Sequence, residues 1–354
     1  MKIMPTRTQT LPTNPKTIAQ AAGLIRAGEL VAFPTETVYG LGADALNPRA
    51  LAKIFTAKGR PTQDPLIVHI HSINQLDQLA SEVPDEALTL MEALWPGPLT
   101  LVLPKTEAVP GLATAGLPSV AVRMPNHPVA LALLRGAGMP IAAPSANLFG
   151  HTSPTTASHV LADLDGRLPL ILDGGPCPVG VESTVLHLAG ERPLLLRPGG
   201  VSREQIEALI GPVAVRAHAR HKAGEDHPEQ AETQGLPSPG LLARHYAPRT
   251  PLTFLPEDHD GSRLLQTLRV AINAGENAGA MVPDEEAEAC RQAGALVYLL
   301  GPTADHATLA SAIFAALRYS DGAGVQAIYA HGVPPQGLGL AINDRLTRAA
   351  ETVI

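Results

Sequence analysis

The chain has 354 residues, of which 45% are hydrophobic, 17% charged and only 3% aromatic, and its formal net charge is −7. This length is enough for two domains that each bury a core. No apolar run reaches the roughly 20 residues of a membrane-spanning helix, and residues 1–15 lack the apolar core of a secretory signal, so we expect a cytoplasmic protein.

Charge and cysteine usage narrow the possible partners. From Thr250 onward the chain has six arginines, no lysine and twelve acidic residues, which places −6 of the total −7 in that region. The C-terminal region is therefore a poor candidate for binding a nucleic-acid backbone. The two cysteines, Cys177 and Cys290, fall in separate predicted domains, and we interpret them as free thiols rather than as a disulfide or half of a metal site.

Helix and strand signals alternate from the beginning of the chain. A helix is predicted from Pro15 to Ala27, with Asn14 as its N-cap and Gly28 at its exit. A short apolar strand follows at Leu30–Phe33, and Pro34 ends it because proline lacks the N–H group that a sheet ladder needs. A polar loop and two glycines come next.

A second capped helix follows this loop and carries two cations at its end. Asn47 and Pro48 form an N-cap and a first helical residue, and Gly59 suits a left-handed C-cap, so the helix should end near Lys58. This ending places the charges of Lys58 and Arg60 free beside a hydroxyl-rich loop, which favours an anionic ligand such as a phosphate chain. The alternative is that both cations complement the helix dipole in water.

The rest of the first domain continues the alternation. Strands are predicted at Leu66–Ile70, Leu99–Leu103, Val120–Met124, Ile141–Ala143, Leu170–Leu172, Ser183–Leu188 and Leu194–Arg197. Helices are predicted at Ile73–Ala80, Asp85–Trp95, Pro128–Arg135, Thr155–Asp163 and Arg203–Ile210. This pattern predicts an α/β domain over residues 12–211, with a mixed twisted sheet and flanking helices.

The remaining chain divides into a linker and a smaller domain. Residues 212–249 have no apolar periodicity and read as a linker. Residues 250–354 alternate again, which predicts a small doubly wound, Rossmann-like domain with parallel strands. Its elements are expected at Leu252–Leu255, Leu264–Ala274, Gly279–Val282, Glu285–Gln292, Leu296–Leu299, Leu309–Tyr319, Val325–Ala330 and Ala341–Glu351.

Two other patterns carry little weight. Gly40 and Gly42 resemble part of a dinucleotide fingerprint, but a polar loop separates them from the strand and no acidic strand end follows about 20 residues later. The linker histidines, His218, His221 and His227, have no thiolate or firm helix to hold them together. We therefore expect neither a dinucleotide site at these glycines nor a metal site in the linker.

Eight motifs occur in a fixed order along the chain. FPTETVYGLGADA, with KGRP and PLIVHI after it, is followed by LWPGPLTLVL (94–103), VAVRMP (120–125), APSANLFGHTSPT (143–155), ILDGG (171–175), ESTV (182–185), LLRPGG (195–200) and SPGLLARHYAP (238–248). This series resembles the threonylcarbamoyl-AMP synthase family, whose domain is the YrdC type. The resemblance covers roughly residues 15 to 250, and the last motif matches the longer form with a C-terminal domain.

The resemblance implies a nucleotidyl transfer without a covalent enzyme intermediate. L-threonine, bicarbonate or CO2, and ATP would give threonylcarbamoyl-AMP and pyrophosphate, for threonylcarbamoyladenosine modification of tRNA by a downstream tRNA threonylcarbamoyl-transferase machinery. Such a reaction needs aligned reactants and neutralised charge. Mg2+ would accompany ATP, and no Walker loop occurs in the sequence.

The resemblance also implies a set of site residues. Lys58 and Arg60 would be catalytic and bind the triphosphate. The residues expected at ATP are Lys58, Arg60, Thr62, Ser119, Ser145, Asn147, Ser153, Arg197 and Tyr246. The residues expected at threonine are Thr35, His69, Arg123, Ala143 and Ser183. Each serine taken alone is better interpreted as a turn residue that binds its own backbone, and only its position inside the full motif favours a contact with the ligand.

Some of these roles also have a basis in the residues themselves. Arg123 stands on an otherwise apolar strand, where it would be costly to bury unpaired, so either a bound carboxylate or a fixed acidic neighbour is expected. His69 could orient the substrate or be a satisfied core histidine. The lid rests on the resemblance alone: in the longer form of the family the linker motif is expected to fold over the site, with Tyr246 at the nucleotide and Arg244 and His245 as anchors.

Two alternative functions stay open on the sequence. A related domain in hydrogenase maturation proteins handles carbamoyl phosphate and forms a carbamoyl-adenylate, but those proteins carry an acylphosphatase-like region and zinc motifs that this sequence lacks. A double-stranded RNA binding module is the other alternative. The near-neutral N-terminal region and the low aromatic content count against it.

Overall fold

A computed structural model describes residues 7–216 and 245–354, which form two sheets flanked by helices. The strands of the first sheet are β1 (Gln9–Pro12), β2 (Val31–Phe33), β3 (Gly40–Asp44), β4 (Ile67–His69), β5 (Leu99–Pro104), β6 (Ser119–Arg123), β7 (Ile141–Ala142), β8 (Leu170–Asp173), β9 (Thr184–His187), β10 (Leu194–Arg197) and β11 (Ala214–Val215). Its helices are α1 (Pro15–Arg26), α2 (Pro48–Lys58), α3 (Asp85–Leu94), α4 (Pro128–Ala137), α5 (Ala157–Leu164) and α6 (Arg203–Ile210), with a 3-10 turn at Ile73–Gln78.

The second sheet belongs to the C-terminal domain. Its strands are β12 (Leu252–Leu255), β13 (Ala278–Val282), β14 (Leu296–Leu299), β15 (Ala327–His331) and β16 (Thr352–Val353). Its helices are α7 (Ser262–Asn273), α8 (Ala287–Gln292), α9 (His306–Gly322) and α10 (Gly339–Ala349), with a 3-10 turn at Asp284–Glu286. The small edge strand β16 was not predicted; it lies just after Glu351, the predicted end of the last helix.

The first sheet is mixed, as predicted. Within the described residues its eleven strands run in the order β1-β8-β2-β3-β7-β4-β6-β5-β9-β10-β11. Strands β4 and β6 are parallel neighbours, and their register aligns His69 with Arg123 at the carboxyl end of each strand. Gly40 at the beginning of β3 bridges Ser145, just beyond β7. The sheet order therefore brings four segments from three motifs to one place.

Strand β3 was not predicted, because GLGAD reads as a glycine-containing loop. In the structure it pairs antiparallel to β2, with Gly42 opposite Val31. A Cβ atom on Gly42 would lie 2.8 Å from the Phe33 ring and 2.9 Å from the Ile141 side chain. Glycine is thus required by close packing between strands, which sequence patterns do not reveal.

Helix α2 begins and ends as its sequence predicts. The Asn47 side chain accepts hydrogen bonds from the N–H groups of Arg49 and Ala50, and Gly59 adopts the left-handed conformation at φ 63°. The α2 helix buries Leu51 and Ile54 against the sheet in the largest core cluster of the described residues. The capping pattern therefore fixes where Lys58 stands.

Helices cover both faces of the first sheet. Ala32 belongs to the core cluster that contains α2, whereas its strand neighbours Val31 and Phe33 pack in a second cluster with Ile25 of α1 and Leu133 of α4. This assignment follows from the period of two in a strand. The predicted short apolar strand is buried on both sides for this reason.

The C-terminal domain has parallel strands in the order β14-β13-β15-β12-β16, which confirms the predicted doubly wound class. Leu264 and Leu268 of α7 pack on one face, whereas Ile313 and Leu317 of α9 pack on the other. The second cluster also contains Tyr246 and other residues from outside the C-terminal sheet. The α9 and α10 side of this domain therefore contacts the first domain.

The first sheet extends past the predicted limits of 12 and 211, because β1 precedes and β11 follows them. Residues 217–244, which contain most of the predicted linker, its three histidines and Arg244, lie outside the described residues. No helix within residues 7–216 and 245–354 is long and apolar enough to cross a membrane.

Candidate active site

A cavity of about 50 Å3 lies where β3 begins and β4, β6 and β10 end. Segments from six of the eight motifs supply its walls, and Tyr246 and His245 close it from the side of the C-terminal domain. The predicted site residues that line it are Thr35, Arg60, His69, Arg123, Ala143, Ser145, Ser183, Arg197 and Tyr246. The structure thus gathers nine predicted residues, spread over more than 200 positions, around one space.

Three other predicted residues lie directly behind the cavity wall. Lys58 Nζ donates to the carbonyl oxygens of Ser145 at 2.5 Å and Asn147 at 2.6 Å. The Asn147 side-chain amide donates to the carbonyl oxygens of Leu148 and His151, both at 2.7 Å. Ser153 Oγ contacts the carboxylate of Glu182. These contacts hold the wall segments that carry the cavity residues in place.

Two predicted ATP residues lie apart from this cavity. Thr62 is exposed in the loop after α2. Ser119 begins β6 and Arg123 ends it, so about 13 Å of strand separates the two residues at 3.3 Å per residue. Neither side chain is among the described residues that line the cavity, and their contact with a nucleotide stays a prediction.

The expectation that the charges of Lys58 and Arg60 are free is wrong for this structure. Lys58 is 2% exposed and Arg60 7% exposed. Arg60 forms an ion pair with Asp64 at 2.9 Å, and its Nη2 donates to the Pro65 carbonyl at 2.6 Å. The chain turns at Gly59 and packs the helix end beneath the loop after β7, where Phe149 N donates to the Lys58 carbonyl at 2.9 Å.

Burial changes the acidity of these two cations. It lowers the pKa of Lys58 well below its ordinary value, and the neighbouring Arg60 charge lowers it further. Burial likewise lowers the pKa of Arg60, although Asp64 partly offsets this. Desolvated, hydrogen-bonded cations of this kind bind an anion with little loss of side-chain entropy, because their positions are already fixed.

Arg123 has the fixed acidic neighbour that its buried position requires. Its Nη2 lies 2.6 Å from Glu36 Oε1, its Nη1 donates to Thr37 Oγ1 at 2.9 Å, and its Nε donates to the Gly97 carbonyl at 3.3 Å. A guanidinium has five N–H groups, so two have no partner among the described residues. A carboxylate in the cavity can therefore bind Arg123 without displacing Glu36.

His69 is held as a neutral ring. Its Nδ1 lies 3.2 Å from the Ile67 carbonyl, which can only accept, so Nδ1 carries the proton and Nε2 is left as an acceptor. Burial, together with the nearby Arg123 charge, lowers the pKa of His69 to about 3. His69 therefore offers a hydrogen-bond acceptor to a hydroxyl or amine at neutral pH.

Arg197 binds the strand beside it. Its Nη2 donates to the Ser183 carbonyl at 3.0 Å and to Ser183 Oγ at 3.3 Å, and Ser183 Oγ lies 2.8 Å from Thr100 Oγ1. A Cβ atom on Gly199 would lie 2.3 Å from the Glu182 carbonyl oxygen. The RPGG and ESTV motifs are therefore packed backbone against backbone, which places a cation and a hydroxyl side by side.

Thr35 forms a local turn. Its Oγ1 accepts from the N–H groups of Thr37 and Val38, both at 3.2 Å, and donates to the Val38 carbonyl at 2.6 Å. The turn is the role that a threonine in this loop would have without any ligand. It shapes the wall of the cavity whether or not the hydroxyl also meets a substrate.

His245 and Tyr246 form the side of the cavity that faces the C-terminal domain. Tyr246 has a positive φ of 64° and is 1% exposed, and the two rings lie 4.1 Å apart. His245 Nδ1 and Tyr246 Oη have no hydrogen-bond partner among the described residues. Burial lowers the pKa of His245, as do the charges of Arg60 and Lys58, so this ring is neutral.

Several residues of the site were not singled out on the sequence. Glu36 and Glu182 lie inside two of the motifs, but the sequence analysis gave neither of them a role. The expected burial of Arg123 did call for an acidic neighbour, and Glu36 is that neighbour. Arg345 of α10 also reaches the wall of the cavity, where it contacts Glu182. No motif marks Arg345, so sequence patterns gave no signal for it.

Two protein-family models match most of this chain. The family model Sua5_yciO_yrdC, described as telomere recombination, matches residues 23–199. The model described as the threonylcarbamoyl-AMP synthase C-terminal domain matches residues 201–351. The two models follow one another along the chain, and seven of the eight motifs lie wholly within them; the LLRPGG motif ends at Gly200, between the two matches.

Relatives of this chain resemble it over nearly their full length. The Bacillus subtilis threonylcarbamoyl-AMP synthase is 48% identical over 97% of this chain and 95% of the relative. The Pyrococcus abyssi threonylcarbamoyl-AMP synthase is 45% identical over 93% of each chain. A crystal structure of Pyrococcus abyssi Sua5 complexed with L-threonine superposes with a TM-score of 0.87 at 42% identity, covering 98% of this chain and 100% of that one. This chain therefore belongs to the two-domain form of the threonylcarbamoyl-AMP synthase family.

Proposed function

We propose that this protein condenses L-threonine, CO2 drawn from bicarbonate, and ATP into threonylcarbamoyl-AMP and pyrophosphate. The observation that carries the proposal is that one cavity is lined by Arg60, Arg123, Ser145 and Arg197. The relatives of this chain are named threonylcarbamoyl-AMP synthases. A carboxylate anchor at one end and phosphate anchors at the other are what the two substrates need.

The threonine end of the cavity lies at β4 and β6. Arg123 would bind the substrate carboxylate through its two remaining N–H groups, and the archaeal relative with L-threonine bound supports such a site in this family. The register that aligns His69 with Arg123 puts the acceptor Nε2 on the adjacent strand, where it can accept from the substrate hydroxyl or amine. Ala143 adds a small apolar wall.

The nucleotide end lies at Arg60, Ser145 and Arg197. Arg60 and Arg197 would bind the triphosphate, and Ser145 would add a hydroxyl contact. Lys58 lies one layer behind, with its amine bonded to the Ser145 and Asn147 carbonyls. In this arrangement Lys58 stabilises the phosphate-binding loop, and it reaches the phosphates themselves only if ATP draws its amine forward.

The chemistry then proceeds without a covalent enzyme intermediate. The threonine amine attacks the carbon of CO2 and loses its proton to water, which gives a carbamate. A carbamate oxygen attacks the α-phosphorus of ATP, the bond from that phosphorus to the β-phosphate oxygen breaks, and pyrophosphate leaves in line. The fixed guanidinium groups of Arg60 and Arg197 would stabilise the charge that develops on the departing pyrophosphate.

Magnesium would enter with ATP. No group of three or more His, Cys, Asp or Glu side chains that could hold a metal occurs in residues 7–216 and 245–354. Glu182 is the only acidic residue among the described residues that line the cavity. The surroundings therefore suit an ion whose ligands are mainly phosphate oxygens and water, as Mg2+ prefers. The ion would supply charge neutralisation at the phosphates.

Substrate binding requires the cavity to enlarge. Its volume of about 50 Å3 is far below the roughly 300–1,000 Å3 of sites that enclose drug-sized ligands. Two hydrogen bonds connect the wall formed by His245 and Tyr246 to a neighbouring segment. Ala247 N donates to the Gly150 carbonyl at 2.9 Å, and Thr152 Oγ1 donates to the Tyr246 carbonyl at a long distance of 3.4 Å. We propose that this wall moves to admit ATP and then shields the adenylate from water.

The test is pyrophosphate release from ATP, with threonine and bicarbonate supplied or omitted in turn. Release should require both, and L-valine should be a poor substitute because it leaves the acceptor of His69 without a hydroxyl. Equal release without threonine would overturn the proposal. A maturation-type activity would instead show release that depends on carbamoyl phosphate. The adenylate is a reactive mixed anhydride, so we propose that a tRNA-modifying transferase consumes it.

A further inference from the structure

Arg345, on α10 of the C-terminal domain, is fully buried against the wall of the cavity. Its Nε donates to Glu182 Oε2 at 2.6 Å and its Nη2 donates to the Pro198 carbonyl at 3.0 Å. Its guanidinium carbon lies 5.1 Å from the centre of the Tyr246 ring. One side chain of the second domain therefore touches the ESTV, RPGG and HYAP motifs together.

The partner of Arg345 is an acidic group in the wrong place for an anionic ligand. Glu182 lines the cavity and is 6% exposed, and it stands in sequence next to Ser183, which Arg197 binds. An unneutralised carboxylate here would repel a triphosphate, because like charges within a desolvated site interact far more strongly than in water. The ion pair with Arg345 cancels that charge.

The charges around Arg345 hold it in one orientation. Asp344 binds Arg345 Nη1 and also accepts from Arg348 Nε at 3.0 Å. Ser153 Oγ bonds to the other oxygen of Glu182. Glu182 is thus fixed from both sides, with Ser153 of the first domain at one oxygen and Arg345 of the second domain at the other.

We propose that Arg345 is a positioning residue for ATP, supplied to the active site by the C-terminal domain. It neutralises Glu182 and holds the ESTV and RPGG segments, so that Arg197 and Ser183 present a cationic surface to the triphosphate. The inference rests on the proposed function. It gives the C-terminal domain a definite part in nucleotide binding, although that domain carries no catalytic motif of its own.

The first test replaces Arg345 with methionine in the full chain. The KM for MgATP should rise about tenfold while the KM for threonine changes less than threefold, because Glu182 faces the phosphate end of the cavity. Arg318→Met is the matched control. Arg318 of α9 also pairs across the domains, with Asp163 at 2.8 Å, but neither residue is among the described residues that line the cavity. This control should leave both KM values within threefold of wild type.

The second test removes the charge that Arg345 neutralises. In an E182Q background, R345M should raise the KM for MgATP less than twofold over that of E182Q alone, because no carboxylate is left to repel ATP. The double variant also keeps the measurement possible if R345M alone does not fold, since removing both members of a buried ion pair is far less destabilising than removing one. A tenfold effect that persists in E182Q, or an equal effect in R318M, would overturn the inference.

Direct titration of MgATP by calorimetry separates this inference from the proposed function. The dissociation constant should follow the same pattern as the KM in all these variants, whether or not pyrophosphate release depends on threonine. A wild type that binds MgATP but releases pyrophosphate without threonine would refute the function alone. Unchanged MgATP affinity in a folded R345M would refute the role of Arg345 alone.

Discussion

Replacing Arg123 with methionine separates the structural and the substrate-binding roles of one buried guanidinium. Arg123 is 3% exposed and pairs with Glu36, which is 5% exposed. R123M alone strands the Glu36 carboxylate in the interior. The double variant E36Q/R123M removes both charges, and E36Q alone keeps the arginine. Together with the wild type, these three variants form a double-mutant cycle.

The expected magnitudes follow from these contacts. Stranding a buried carboxylate costs about 3–5 kcal/mol, so R123M should lower the free energy of unfolding by that amount, and the double variant should recover most of it. Loss of a paired, charge-assisted contact to the threonine carboxylate costs about 3 kcal/mol, which corresponds to roughly 100-fold in affinity. Both R123M and the double variant should show this loss, whereas E36Q should change the threonine KM less than tenfold.

The assays are urea unfolding for stability and pyrophosphate release at saturating ATP for the threonine KM. Arg123 would lose its role as the carboxylate anchor if E36Q/R123M bound threonine within threefold of wild type. A threonine KM that rose as much in E36Q as in R123M would instead locate the effect in the shape of the wall, not in a contact with the substrate.

Three further changes test other parts of the site. Gly199→Ala would place a methyl group 2.3 Å from the Glu182 carbonyl oxygen and should lower the free energy of unfolding by about 1–3 kcal/mol in urea unfolding. The control is Gly116→Ala, which meets no atom within 4 Å and should lose only the free energy of placing alanine at a φ of +79°. The pKa of His69 is lowered from 6.5 to about 3 in the folded protein, so the unfolded state binds a proton at a higher pH than the folded state does. The free energy of unfolding should therefore fall by about 2 kcal/mol from pH 6.5 to 5, and by less in His69→Gln. An equal fall in the variant would assign the pH dependence to other groups. Lys58→Ala should abolish most pyrophosphate release and cost roughly 1–3 kcal/mol of stability, because two buried carbonyls lose their donor; normal turnover would remove Lys58 from the site.

Local features of the fold could be predicted where short-range chemistry decides them. The Asn47 cap and the Gly59 ending of α2 are set by residues within one turn, and both were found as expected. Strand β3 was missed because its glycines serve packing against Phe33 and Ile141, which are distant in sequence or on another strand. Strand order is likewise set by long-range pairing, and no local pattern encodes it.

The candidate site was predictable as a set of residues but not as a network. The ordered motifs named nine residues that line one cavity, among them Arg60 and Arg123. They could not show that Lys58 lies behind the wall, because its partners are backbone carbonyls 87 and 89 positions away. Arg345 was invisible for a related reason, since its importance comes only from packing against another domain.

Direct detection of the product tests the central claim, that one cavity joins a nucleotide to a carboxylated amino acid. The protein would be incubated with MgATP, L-threonine and 13C-labelled bicarbonate. The nucleotide products would be separated by chromatography, and their masses would be measured by mass spectrometry. We predict threonylcarbamoyl-AMP that carries a single 13C atom, formed in step with pyrophosphate and lost in E36Q/R123M. Formation of unlabelled AMP or ADP alone, at the same rate with and without threonine, would contradict the account.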